Sequence, residues 1–244
     1  MTPPVMVAGV DGCPAGWLVV LRPLDDPSSA TARIVKTFAD ILALDPAPLV
    51  IAIDMPIGLP DLAGPGGRTC DVAARTVLGA RQSSVFAVPA RASVMETGYR
   101  AACERALAHS DPPRKVSKQM FNIFAKIREI DALMTPAVQA RVREVHPEVA
   151  FAALNGWTPL SEPKKAKSQP YERGLALRRS LLLAAGYDEA LFQAAFKRSV
   201  AGPDDVLDAA ANSWTAARIA RGQARCFPQL PPLDTKGLRC EIWG

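Results

Sequence analysis

Apolar positions in the first third of the chain fall in short runs separated by turn residues. Val5 to Asp11 is a β-rich run ending in Asp-Gly. Trp17 to Leu21 follows after Gly12-Cys13-Pro14-Ala15-Gly16, which predicts a hairpin by composition and loop length. Ala32 to Thr37 reads as a third strand and Phe38 to Leu44 as a short helix. Leu49 to Asp54 is a continuous apolar run, the pattern of a strand covered on both faces. After Asp54 the chain turns Pro- and Gly-rich, and then a helical period takes over. Helices are predicted over Cys70 to Leu78, Val94 to His109 and Ser117 to Leu133. In the last of these, Met120, Ile123, Phe124, Ile127, Ile130 and Leu133 recur at three and four residues. Val142 to His146 is one more β-like run. Glu148 to Leu154, Tyr171 to Ala185, Glu189 to Lys197 and Asp204 to Arg221 complete a helical second half. Strands, a buried strand, helices and a last strand predict an α/β domain, with residues 56–141 as a helical insertion after the fourth strand.

Composition narrows this little. The 244 residues are 49% hydrophobic and 22% charged, enough for one large domain with a real core and unlike a disordered chain. The longest aliphatic run, Leu49-Val50-Ile51-Ala52-Ile53, is far too short to span a bilayer, so no membrane partner is expected. The N-terminal stretch lacks a positive leader region and reads as a strand, and a cytoplasmic location is the expectation. Five scattered cysteines without a CxxC pair, and only two histidines, argue against a disulfide framework, a structural zinc site or a zinc hydrolase.

Charge is informative through its placement. Four bases and no acid lie between Arg114 and Lys126. Six bases (Lys164, Lys165, Lys167, Arg173, Arg178 and Arg179) face only Glu162 and Glu172 in the next basic stretch. Each stretch carries +4 against +5 for the whole chain, so the remainder is slightly acidic. Basic stretches beside an acidic remainder suit a polyanion held near a carboxylate site, although two solvated helix faces would give the same count.

The acids sit where acids are costly. Asp11 lies near the end of an apolar strand, and Asp54 ends the most hydrophobic strand in the chain. A carboxylate at a buried strand end needs a positive partner, and two side by side repel unless protonated or bridged by a cation. Magnesium or manganese, hard ions that prefer oxygen, are the natural neutralisers. Asp205 and Asp208, three apart on one helix face, add a pair, and together the four acids would suit a two-metal phosphoryl-transfer site. Each also has a plainer explanation: Asp11 as a turn residue, Asp54 as a cap, and Asp204 and Asp205 at a helix N-terminus. Glu144-Val145-His146-Pro147-Glu148 is a second cluster that could supply a metal ligand or a general base, or serve as a cap with a satisfied histidine.

The segments GVDGCPAGW, IAIDMPIGLP, RQSSVF, SKQMFNIFAKIREID, EVHPE and DDVLDAAANSW resemble the predicted RNase-H-like nucleases grouped as domain of unknown function 429. The resemblance runs from Val7 to about Arg221. It implies a mixed sheet of about five strands flanked by helices, the whole chain forming one domain. It also implies the arrangement of the RuvC-type resolvases, in which a first strand, a fourth strand and a last helix supply acids to two divalent ions. By position, Asp11 matches the first acid, Asp54 the second, and Asp205 with Asp208 the helical pair. The resolvases commonly carry Glu where Asp54 stands. On this reading the expected activity is hydrolysis of nucleic-acid phosphodiesters. Lys164, Lys165, Lys167, Arg173 and Arg178 would contact phosphates, with Ser83 and Ser84 as phosphate or metal-water contacts. A homodimer is a further implication.

Two other readings share the fold. An actin-like phosphotransferase would use Gly9, Gly12 and Gly16 around phosphates, but the segment after Asp54 lacks a Gly-Gly-Ser/Thr loop. A non-catalytic domain that binds nucleic acid or protein would keep the basic stretches and need no metal.

Overall fold

The computed structural model describes residues 3–166, 169–193 and 196–244. Its centre is a mixed five-stranded sheet in the order β3-β2-β1-β4-β5. β1 (Met6–Cys13) and β2 (Gly16–Pro23) form an antiparallel hairpin, and β3 (Thr31–Val35) pairs with β2. β4 (Val50–Ile53) runs parallel to β1, and β5 (Val142–Glu144) parallel to β4. This is an α/β fold consistent with the RNase-H-like description. The hairpin turn is tighter than the sequence suggests, because β1 continues through Asp11 to Cys13, which pairs directly with Gly16. Gly16 has φ +134°, and a Cβ there would lie 2.4 Å from the Val35 carbonyl oxygen, so only glycine closes this turn against β3.

Alternation along β1 divides the core. Ala8 and Val10 face one side, with Val19, Ile51 and Ile53, where α1 (Phe38–Leu42) and the chain between β4 and β5 cover them. That connection carries α2 (Thr69–Arg75), a 3-10 turn at Gly79–Ser84, α3 (Arg91–Val94), α4 (Tyr99–Ala108), α5 (Lys118–Asn122), α6 (Phe124–Leu133) and α7 (Pro136–Gln139). Val7, Gly9, Asp11 and Cys13 face the other side. There α8 (Pro147–Leu154), α9 (Glu172–Ala184), α10 (Glu189–Gln193) and α11 (Pro203–Ala220) lie across the sheet.

Two predicted helices are split. Ser117 to Leu133 breaks at Ile123, where Ile123 N–H donates to Met120 O and Lys126 N–H to Ile123 O. These i-to-i+3 bonds tighten the chain between α5 and α6, and Phe121 packs edge-on against Tyr99 with ring centroids 5.4 Å apart. Val94 to His109 breaks before Gly98, which precedes α4. The strand expected at Val142 to His146 ends at Glu144, because His146 caps α8 and Pro147 takes its first position. Two short hairpins were not expected: β6 (Lys165–Ala166) with β7 (Gln169–Pro170), and β8 (Cys226–Phe227) with β9 (Ile242–Trp243). Among the described residues, no helix is long and apolar enough to cross a membrane.

Candidate functional site

The parallel register of β1 and β4 builds the centre of the site. Val10 pairs with Ile53, and Asp54 N–H donates to Val10 O at 3.0 Å, so Asp11 and Asp54 emerge next to one another from neighbouring strands. α11 brings the third acid. It packs directly on Gly9, where a Cβ would lie 2.1 Å from Ala209 O and from Ser213 N. Asn212 Nδ2 donates to Val10 O at 2.9 Å and pins the helix to the strand. One helical turn earlier, Asp208 is thereby carried over Asp11.

Asp11 and Asp54 line a cleft of about 530 Å³ that also admits Lys164, Lys126, Ser83 and Ser84, with Asp208 buried behind them on Lys164. Asp11 is 8% exposed, and its Oδ1 accepts only the neighbouring Gly12 N–H among its hydrogen bonds in the described residues. Burial pushes its pKa well above the usual carboxylate range, and the charges of Asp54 and Asp208 push it further. Desolvation lifts Asp54 to about 6 against the pull of Lys164, and lifts Asp208 to about 6 against the same ammonium. Lys164 Nζ donates to Asp208 Oδ2. Burial works against the ammonium charge, but Asp208 and Asp11 outweigh it and hold Lys164 protonated. Three carboxyl groups thus meet one ammonium.

Asp208 Oδ1 is buried and has no hydrogen-bond partner among the described residues. An orphaned carboxylate oxygen beside two further acids is a donor set suited by charge and chemistry to a hard divalent ion. Among the described residues, no three His, Cys, Asp or Glu side chains stand close enough together to hold a metal ion. The acids therefore fit such an ion chemically without forming a ready-made cage.

Asp205 has a different place. Its Oδ2 accepts from Gly202 N–H at 2.7 Å at the start of α11, the plainer of its two expected roles, and it does not line the cleft. The Glu144 cluster lines the cleft but is bound into the fold. Glu144 accepts from Ile57 N–H at 2.6 Å and from both terminal nitrogens of Arg68, which also holds Asp71. Burial, opposed by Arg68, pushes Glu144 up to about 7. His146 Nδ1 accepts from Glu148 N–H, and Nε2 lies 3.2 Å from Ser84 O, an arrangement that assigns the proton to Nε2. Burial lowers its pKa, and both ring nitrogens are engaged, so the imidazole acts as a satisfied cap. Glu148 Oε1 accepts from Arg178 Nη2 at 2.5 Å.

The basic stretch separates in the same way. Arg178 is fully buried on Glu148 and cannot reach a phosphate, a correction to the expectation that rested on charge count alone. Lys165 Nζ lies 2.7 Å from Asp204 Oδ2 while remaining half exposed. Arg173 is exposed on α9. Lys167 lies outside the described residues. Ser83 and Ser84 end the 3-10 turn at the cleft, with Ser84 Oγ donating to Arg81 O. Sequence reasoning passed over Arg68, whose carboxylate partner Glu144 is 76 positions away. It counted Lys126 as one base among four, although Gln119, Ile123 and Lys126 recur at four and three residues and all line the cleft. The Lys126 ammonium sits 4.3 Å from the Trp17 ring centroid and donates to Gly16 O.

Residues 9–232 match the model of a family described as "Protein of unknown function (DUF429)". No curated protein and no solved structure matches the chain.

Proposed function

The chain belongs to the DUF429 family, and from that premise we propose that it is a divalent-cation-dependent phosphodiesterase acting on nucleic acid at the Asp11 cleft. The observation that carries this reading is the convergence of Asp11, Asp54 and Asp208 from β1, the end of β4 and α11 beside Lys164. Such a cluster holds more negative charge than one ammonium offsets. Its acids must take up protons or accept a cation.

Asp11, Asp54 and Asp208 are the residues that would hold magnesium or manganese, once the ion draws them closer together than they stand here. Bound there, the ion would activate water and offset charge on the phosphoryl oxygens. Lys164 orients Asp208 and offers its remaining protons to a phosphate oxygen. Lys165 and Arg173, both reaching solvent, would attract the polyanion without reading its sequence. Because the acids form no closed cage, affinity for the free ion is expected to be weak, on the order of 10⁻⁴–10⁻³ M, the weak end of the range for calcium on oxygen ligands, and to tighten when phosphate supplies further ligands.

The test is calorimetric titration of manganese chloride into wild type and Asp11→Asn, with and without a thymidine oligonucleotide, alongside manganese-dependent hydrolysis. Binding heat in the wild type and loss of both heat and hydrolysis in Asp11→Asn are expected. Unchanged turnover in the variant would sink the reading. The ion pair of Lys164 with Asp208 favours the second reading, a non-catalytic binding domain. Oligonucleotide binding with neither manganese heat nor hydrolysis would establish that instead.

A further inference from the structure

The cleft has two walls of different origin. The ends of β1 and β4 supply one through Asp11 and Asp54, joined by Lys164 from the chain between α8 and β6. The chain between β4 and β5 supplies the other through residues 83–86, Val88 and the α5–α6 face that carries Gln119, Ile123 and Lys126. A space of about 530 Å³ between facing walls belongs to the size class of small-ligand sites, about 300–1,000 Å³. A base can enter such a space only from a nucleotide that is unpaired or has been taken out of the stack.

Two side chains on the second wall match the parts of one nucleotide. Phe86 lines the cleft with 38% of its surface exposed and belongs to no hydrophobic cluster among the described residues. An uncovered ring beside a polar cleft is a stacking platform for a base. Lys126 lies over the strand segment that follows Asp11, since a Cβ on Gly12 would come 2.9 Å from Lys126 Cδ. Its ammonium is fixed by the Trp17 ring and Gly16 O, so it presents a positioned cation opposite the carboxylates.

We infer that the cleft takes one unpaired nucleotide unit, with its phosphodiester between Asp11 and Lys126 and its base on Phe86. The substrate is then a single strand or a strand end rather than a duplex. This rests on the phosphodiesterase reading and narrows it.

The test is fluorescence anisotropy in calcium, with a fluorescein-labelled ten-nucleotide thymidine strand and a blunt duplex of that strand with its complement. The single strand should bind at least tenfold more tightly. Phe86→Ala should weaken it about tenfold or more, with the melting temperature and manganese heat unchanged, while Phe86→Trp should restore binding. Equal or tighter binding of the duplex overturns the inference, and the phosphodiesterase reading then stands if that duplex is hydrolysed in manganese. An unaffected Phe86→Ala overturns the placement of the base. Manganese heat without binding of either strand overturns the inference as well. Loss of manganese heat and of hydrolysis for every substrate is the separate failure of the underlying reading.

Discussion

Arg68 is 3% exposed and spends its guanidinium on Asp71, Glu144 and the Ile57 and Gly58 carbonyls. Two buried acids, which also accept from backbone N–H groups, therefore share one counter-charge. Arg68→Ala is expected to cost about 3–5 kcal/mol, because removing one member of a buried pair strands the other. Chemical denaturation of wild type and variant would measure it, and a loss under about 1 kcal/mol would mean that Glu144 finds another partner. Glu144→Gln should be milder, since an amide oxygen still accepts from Ile57 N–H and Arg68. Asp11 has the opposite sign. Its charge is opposed by burial and by Asp54 and Asp208, so Asp11→Asn should raise the melting temperature by a few degrees near neutral pH while abolishing hydrolysis. A lower melting temperature would show that the charge is satisfied in the fold.

At the scale of elements, the site depends on how closely α11 approaches β1. Gly9 is the position that allows it, with helix backbone atoms where a Cβ would stand. Gly9→Ala must push the helix off the strand and stretch the Asn212 bond to Val10 O. Overpacking of this kind typically costs about 1–3 kcal/mol, and contact with rigid backbone on both sides places Gly9→Ala at the upper end or beyond. Loss of manganese heat in a variant that still folds would show that the Asp208 position follows the helix. The pattern of the chain already marked both elements, since the runs over Val5–Asp11 and Asp204–Arg221 are continuous and strongly periodic. It could not show their separation, because a glycine inside a strand marks a bulge, a bend or a close backbone approach without telling which.

Over the whole molecule, buried acids set the response to pH. The pKa values of Asp54 and Asp208 are lifted to about 6 and that of Glu144 to about 7, and Asp11 is raised as well. Between about pH 4 and 7 the folded state then binds more protons at these sites than the unfolded chain does. Their contribution to stability is full below the unfolded values and is lost as pH rises through the folded ones. His146, lowered by burial, works the other way but is a single group. In chelator, the melting temperature should fall from pH 5 to pH 7.5, and manganese should recover part of the loss at pH 7.5. A flat profile would mean that the acids are compensated in the fold. The five strands of the central sheet, most of the helical segments and the placement of Asp11 and Asp54 at strand ends and Asp208 on a helix were legible in the chain, because burial alternates within a strand and recurs along a helix. Other roles came only from contacts between distant segments. Arg178 and Lys164 lie in one basic run, yet Arg178 is sealed against Glu148 and Lys164 reaches the cleft. Asp205 and Asp208 share a helix face by count, yet Asp205 bonds the start of its own helix and Asp208 meets Lys164. Local sequence determines which face a side chain occupies. The neighbour it meets there is decided by the packing of segments that the chain brings together from far apart.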